Sequence, residues 1–291
     1  MNIKVGNTPM IELTKEIRAQ NGVRIFAKLE GENEGGSIKS RVALALIEGA
    51  EKKGFIKSGG YIVEATSGNT GVGLALVAKK GGYRAKIFMP SNLSGVQSKR
   101  IEEYGGEVVF TPSIEGMQGA VDAAKAFVSG TPNSFYCNQF CNPVCAAVHY
   151  QTTGQEILAQ AVGKVDIFVA GVGTGGTLTG AGMRLKEKNT TLKVVAVEPA
   201  TSPLLSQGWA GRHGIRGIGA NFLPSVLDKD LIDEVVLATE HGAAVCRSWL
   251  KKRCNLSVGI SSGAALYACL QLAGRAENQG KTIVTIFPST D

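Results

Sequence analysis

At 291 residues the chain is long enough for a large core and for two lobes, and its 44% hydrophobic and 19% charged content is that of a soluble globular protein. The formal charge of +7 does not make it a nucleic-acid binder: Lys and Arg are dispersed, aromatics are only 6%, and the excess reads as a mild pull on anionic substrates at most. No apolar run is long enough to span a membrane, the first residues lack a signal-peptide pattern, and six cysteines read as thiols of a reducing cytoplasm rather than a disulfide framework.

Taken in order, the chain alternates strand and helix. A strand over 23–30 leads through a glycine-bearing loop holding Lys39 into a helix over 42–51. A short apolar strand over 61–65 ends in the turn 66–71, which enters a helix over 72–80. Strands over 85–90 and 107–111 alternate with helices over 95–104 and 115–129, and an aromatic run at 135–140 follows. The second half has a helix over 146–161, a strand over 165–170, a glycine-rich turn at 171–177 and a helix ending near Lys188. A strand over 193–198, an irregular stretch over 199–224, a strand over 234–237, helices over 242–252 and 262–279, and a strand over 282–287 complete it. Strands regularly followed by helices predict an α/β fold of two lobes, each a mostly parallel sheet covered on both faces.

Four loops fall at the carboxyl ends of strands or the starts of helices, where open α/β sheets bind their ligands. In the first, Gly35 and Gly36 allow a tight turn, and Lys39 sits at a helix mouth whose dipole disfavours its charged form, one route to a nucleophilic amine. In the second, Thr66, Ser67, Gly68, Asn69 and Thr70 combine hydroxyls, an amide and a helix start; this suits a carboxylate, or equally a helix cap by Ser67 or Asn69. The third, Gly173, Thr174, Gly175, Gly176 and Thr177, reads as a phosphate cradle. Gly171, Gly173 and Gly176 also satisfy a dinucleotide-binding pattern, with Glu198 where a ribose-binding acid belongs, so a nicotinamide enzyme is a rival reading. The fourth carries Ser261 and Ser262, which either cap a helix or aim a hydroxyl at a cofactor heteroatom. Cys137, Cys141 and Cys145 recur every four residues, but buried free thiols fit better than a metal site, and no metal is expected. A nucleophilic amine, an anion site, a phosphate loop and a neutral polar group are the parts a pyridoxal phosphate enzyme needs.

At this point the chain resembles the cysteine synthase (O-acetylserine sulfhydrylase) and cystathionine β-synthase group of fold-type II pyridoxal phosphate enzymes. The resemblance rests on Gly-Gly-Ser-Ile-Lys ending at Lys39, Glu-Ala-Thr-Ser-Gly-Asn-Thr-Gly from Glu64, Gln139 with Phe140, Thr-Thr-Gly at 152–154, the 173–177 loop, Gly-Ile-Gly-Ala at 217–220 and Gly-Ile-Ser-Ser-Gly at 259–263. It implies that Lys39 bonds the cofactor and later takes the substrate's α-proton. Asn69 then faces the cofactor's ring oxygen, the loop from Gly173 to Thr177 holds its phosphate, and Ser261 (Ser262 as the fallback) lies beside the pyridine nitrogen. Thr66, Ser67, Gly68, Thr70 and Gln139 match the substrate-carboxylate site. The implied reaction turns O-acetyl-L-serine and sulfide into L-cysteine and acetate through an aminoacrylate. The alternatives are β-elimination or β-replacement on cysteine or serine, which releases hydrogen sulfide or forms cystathionine or lanthionine, and a non-catalytic relative binding the tail of a serine acetyltransferase. The resemblance further implies a cytoplasmic homodimer, with 1–33 plus 146–291 as a larger cofactor-phosphate-binding domain and 34–145 as a smaller mobile one.

Two departures stand beside the key lysine. The family usually has proline where Glu34 stands and aspartate where Ser40 follows Lys39. Loss of that carboxylate removes an ionic partner within the loop, with Arg41 or a backbone amide the expected loser. The chain also ends where the family continues with an acidic, tyrosine-containing tail.

Overall fold

The computed structural model describes residues 1–17, 20–161 and 163–290. The strands are β1 (Met10–Glu12), β2 (Arg24–Leu29), β3 (Tyr61–Ala65), β4 (Arg84–Pro90), β5 (Glu107–Thr111), β6 (Ser134–Tyr136), β7 (Ile167–Gly171), β8 (Lys193–Pro199), β9 (Glu234–Ala238) and β10 (Thr282–Phe287). The helices are α1 (Lys39–Lys52), α2 (Asn69–Gly81), α3 (Val96–Glu103), α4 (Gly116–Gly130), α5 (Val144–Val148), α6 (Gly154–Gln160), α7 (Gly176–Lys188), α8 (Leu204–Gln207), α9 (Glu240–Cys254) and α10 (Ile260–Ala273).

The chain divides into two compact units, one of Met1–Val5 with Asn33–Val144 and the other of Gly6–Glu32 with the chain from Cys145 onward. This corrects the expected boundary at the N-terminus: the first five residues group with the smaller unit. The cause is local, since Glu34 N donates to Lys4 O (2.8 Å) while the Glu34 carboxylate accepts from Lys4 N (3.0 Å).

In the larger unit the sheet runs β1-β2-β10-β7-β8-β9, parallel except where β1 pairs antiparallel with β2. β10 is buried at every position and rich in β-branched residues, as a strand flanked on both sides and covered on both faces must be. Its neighbours β2 and β7 contribute Ile25, Ile167 and Val169, and β8 beyond β7 contributes Val195 and Val197, to one core. α10 crosses this core beside α9, and Gly263 makes the close approach: a Cβ there would collide with the carbonyl of Ala243. A buried lysine also holds this unit together. Lys28 Nζ donates to Thr8 O (2.8 Å) and Gln160 Oε1 (3.0 Å) and pairs with Glu156 (2.8 Å).

The smaller unit has a four-stranded, wholly parallel sheet in the order β5-β4-β3-β6. Tyr61, Val63 and Ala65 alternate onto one face of β3 and pack with Ala120 and Ala124 of α4. α1 and α2 pack together, and the bare Gly73 lets α2 come against the carbonyl of Lys39, with a would-be Cβ 3.1 Å from that oxygen.

Most expected strands and helices are present, with three differences. β1 is a three-residue edge strand too short to show a pattern. The helix expected over 146–161 is interrupted: α5 passes into a π-turn at His149–Thr153 before α6 begins. Thr152 Oγ1 donates to Val148 O (2.6 Å), occupying a carbonyl where the helical ladder is loosened. The last long helix stops at Ala273 rather than near 279, because Asn278 Nδ2 turns back and donates to Leu272 O (2.8 Å).

The π-turn packs on α7 at Gly180, where a Cβ would collide with the Ala146 carbonyl and lie 2.8 Å from Tyr150 N. Both obstacles are backbone and cannot rotate away. Gly180→Ala is therefore expected to lower stability by about 3 kcal/mol, measured as a shift in the denaturant unfolding midpoint.

Candidate active site

In the smaller unit Lys39 is the first residue of α1, half-buried, with its backbone N donating to Ser37 Oγ (3.3 Å). The turn before it needs glycine, since Gly35 and Gly36 hold φ of 91° and 72°. Ser40 is fully buried and its hydroxyl donates to Glu34 O (2.6 Å), closing the loop on itself. The carboxylate of Glu34 faces Lys80 as well as the amide of Lys4, and the Lys80 ammonium chiefly holds it below the usual carboxylate range. Arg100 Nη2 pins the same turn from α3 through Gly35 O (2.9 Å).

The turn after β3 leads into α2, whose N-cap is Gly68 in an extended conformation with no side-chain cap. Ser67 and Asn69 therefore do not play the capping role that was the alternative reading. The first N–H groups of α2 stay open to an anion, at the positive end of the helix. Thr66 Oγ1 accepts from Gly68 N (3.2 Å), and Thr70 Oγ1 donates to Gln139 Oε1 (2.6 Å). With its oxygen so engaged, Gln139 has its Nε2 group left to donate. Behind this pair lies Glu64, 1% exposed, with Oε1 accepting from Ala65 N (2.8 Å) and Oε2 from Gln139 N (3.0 Å). Burial pushes its carboxyl up to about 7, and the two amides only partly oppose this.

In the larger unit the glycine-rich turn joins β7 to α7, and Gly175 caps α7 at φ 83° without a side-chain acceptor. Cβ atoms at Gly173, Gly175 and Gly176 would lie 2.5 Å from Gly217 O, 2.6 Å from Leu227 Cβ and 2.6 Å from Cys145 O. The loop is thus bare backbone by steric necessity, ahead of an open helix start, and fits a phosphate. Thr177 Oγ1 is 3.3 Å from His149 Nε2, and His149 Nδ1 is 2.9 Å from Thr153 Oγ1, so the π-turn orients a threonine of the loop. Gly217, at φ 95°, joins this loop to the fourth one: its carbonyl faces Gly173, and a Cβ added to it would lie 3.7 Å from Ser261 Oγ. Ser262 Oγ is buried without a hydrogen-bond partner. Glu198 is committed elsewhere, accepting from Leu205 N (2.7 Å), Ser206 N (3.0 Å) and Ser206 Oγ (2.6 Å). The dinucleotide reading thereby loses its ribose ligand.

Lys39, the 66–70 turn and Gln139 fall in the smaller unit; the 173–177 loop, Gly217 and Ser261 fall in the larger. Two residues escaped the sequence reading. Glu64 heads the motif of the 66–70 turn but carries no role there, and His149 has no local signal. Among the described residues no cysteine forms a disulfide, with Cys137 and Cys145 buried and Cys141 exposed, and no group of three His, Cys, Asp or Glu is placed to hold a metal. No helix among them is long and apolar enough to cross a membrane.

The family described as pyridoxal-phosphate dependent enzyme matches residues 1–289. A cysteine synthase of Staphylococcus aureus is 43% identical over 286 residues, which is 98% of this chain and 91% of the relative. The crystal structure of a cysteine synthase from Entamoeba histolytica superposes with a TM-score of 0.93 at 39% identity, covering 99% of this chain and 86% of that one. A hydrogen sulfide-producing enzyme from Fusobacterium nucleatum superposes with a TM-score of 0.91 at 37% identity, covering 99% and 96%.

Glu64 also makes stability depend on pH. Its folded-state value of about 7 lies above the ordinary 4.5, so the native state holds the proton that the unfolded chain releases. Its contribution is fully present below 4.5 and is lost as pH rises to about 7. Glu64→Gln is expected to remove this slope, so the difference in unfolding midpoint between variant and wild type should shift in the variant's favour across that window.

Proposed function

Because the chain belongs to the family of pyridoxal-phosphate dependent enzymes, we propose that it replaces the acetoxy group of O-acetyl-L-serine with sulfide, forming L-cysteine and acetate in cysteine biosynthesis. The observation that carries this reading is the start of α2: an uncapped helix terminus with the Thr66, Ser67 and Thr70 hydroxyls and Gln139 beside it, on the helix that packs against Lys39. An amino-acid carboxylate is the anion that such a donor set suits.

Pyridoxal 5'-phosphate, when bound, supplies an electron sink for the bond pair released at the substrate's α-carbon. Lys39 would hold it through the ε-amine and Asn69 through its side-chain amide. Gly173, Thr174, Gly175, Gly176 and Thr177 would hold the phosphate, and Ser261 would meet the pyridine nitrogen. Thr66, Ser67, Gly68, Thr70 and Gln139 bind and orient the substrate carboxylate. Lys39 Nζ takes the α-proton, and the bond to the acetoxy oxygen breaks with its electron pair leaving on acetate. Hydrosulfide then adds at the β-carbon, and the proton returned by Lys39 Nζ to the α-carbon completes cysteine. A serine at the pyridine nitrogen offers a neutral partner rather than a fixed negative charge, which favours loss of a good β-leaving group.

The same reading takes the protein as a cytoplasmic homodimer. The tail of a serine acetyltransferase, ending in a carboxylate like the substrate's, is its protein partner. A second reading, release of hydrogen sulfide from cysteine, is supported by the Fusobacterium relative and by the unusual Glu34 and Ser40.

Product analysis separates the two. With O-acetylserine and sulfide, cysteine and acetate should form far faster than sulfide forms from cysteine alone; the opposite order would replace the first reading by the second. Purified protein should be yellow, and Lys39→Ala should lose the absorbance of covalently held cofactor and about 10³-fold in turnover. An unchanged spectrum in the variant would remove Lys39 from its role.

A further inference from the structure

The substrate-carboxylate turn is backed by a buried acid to which no role has been given. Glu64 is the penultimate residue of β3, two positions before Thr66 opens the turn, on the face opposite Tyr61, Val63 and Ala65. Its two oxygens are divided between two amides on different segments, Oε1 taking Ala65 N and Oε2 taking Gln139 N. Gln139 then continues the chain of contacts through its side chain to Thr70, in the first turn of α2. Glu64, Gln139 and Thr70 are all buried, so each link exists where water does not compete.

The division of the oxygens determines which form of the acid fits. A carboxylate accepts at both oxygens, whereas a protonated carboxyl keeps one good acceptor and turns the other into a hydroxyl. Two N–H donors on separate oxygens therefore match the ionised group, while burial favours the neutral one. No neighbouring charge adds to that pull: burial alone raises the carboxyl, and the Gln139 and Ala65 amides oppose it. The titratable group it faces is Tyr136 of β6, whose hydroxyl is pushed up first by its own burial and then by the charges of Glu64, Cys137, Cys141 and Asp122 of α4. Across the sheet, the register partner of Glu64 on β4 is the apolar Ile87.

Resting on the proposed amino-acid substrate, we infer that Glu64 is the positioning residue of the carboxylate site: in its ionised form it anchors the backbone of Gln139, and on protonation it releases that anchor and weakens substrate binding. Gln139 and Thr70 touch the substrate, and Glu64 acts through them. Its titration near 7 places this change inside the working range of an enzyme. The balance is simple: one proton is taken up at a Glu64 oxygen, and one N–H loses its acceptor.

The experiment compares wild-type and Glu64→Gln holoenzymes carrying pyridoxal phosphate. Glutamine keeps the shape but offers one acceptor oxygen and an N–H₂ group facing a donor, so it mimics the protonated acid at every pH. Dissociation constants for L-alanine, which has the carboxylate and no β-leaving group, are measured from about pH 5.5 to about pH 8.5. The variant should bind about tenfold more weakly at the upper end, and the ratio to wild type should close towards unity at the lower end. In turnover the same change should raise KM with little change in kcat. A ratio constant with pH, or equal affinities at high pH, overturns the inference.

Amide hydrogen exchange in the wild type supplies a second arm that needs neither ligand nor variant. Cys141 N donates to Asn138 O (3.0 Å) and serves as an internal reference on the same loop. The protection of Gln139 N relative to Cys141 N should fall as pH drops through about 7. A constant relative protection overturns the role of Glu64, even if Glu64→Gln does not fold. A wild type that takes up no pyridoxal phosphate or binds no amino acid would sink the functional reading instead, and the exchange measurement would still judge Glu64.

Discussion

α2 and α7, like α3 and α10, start on a glycine that supplies no side-chain acceptor, and at the first two, where threonines stand beside the bare terminus, the anion chemistry of the chain depends on that deficit. The first N–H groups of a helix need partners, and a protein normally provides one from the N-cap side chain. This chain does so elsewhere: Thr239 at the start of α9 accepts from Gly242 N. At α2 and α7 it withholds the cap and surrounds the terminus with threonine hydroxyls. A carboxylate at one and a phosphate at the other complete what the fold leaves open.

Parallel strand order is what brings such termini to useful places. Each strand ends where the next helix begins, so β3 delivers the 66–70 turn and β7 the 173–177 loop at the carboxyl edge of their own sheets. The glycines then allow backbone to approach backbone. Gly173 lies against Gly217, Gly176 against Cys145, and Gly73 against Lys39, each at a distance that a methyl group would forbid or strain. The supporting groups behind these turns are buried and polar: Glu64 behind Gln139 and His149 behind Thr177.

The fold was legible to the extent that it is written in short-range pattern. Tyr61–Ala65, Glu107–Thr111 and Thr282–Phe287 are apolar runs bounded by turn residues, and their bounds are the expected ones. The site turns were legible because glycine and hydroxyl spacing carries their chemistry. The remainder depends on partners distant in sequence. Even Asn278, six residues beyond Leu272, carries no local sign that its amide will donate to that carbonyl, and nothing near His149 shows that a π-turn will aim it at Thr177, 28 positions away. Glu64 and Gln139 are 75 residues apart, so their bond exists only once β3 and β6 pair.

The two departures beside Lys39 belong to the same class of long-range effect, and the structure joins them. The usual proline at position 34 has no N–H, so it could not make the bond from Glu34 N to Lys4 O. An ionised aspartate at position 40 has no proton to give, so it could not donate to Glu34 O as Ser40 does. Arg41, expected to lose an ionic partner, is itself buried. The negative charge that the family keeps just after the lysine is found here on Glu34, where it meets Lys80 and the amide of Lys4. In this chain the negative charge of the loop lies at the contact with the N-terminal segment, and a neutral hydrogen bond lies at the mouth of α1. Glu34 and Ser40 thus hold the lysine loop through one carbonyl, one hydroxyl and the N-terminal segment.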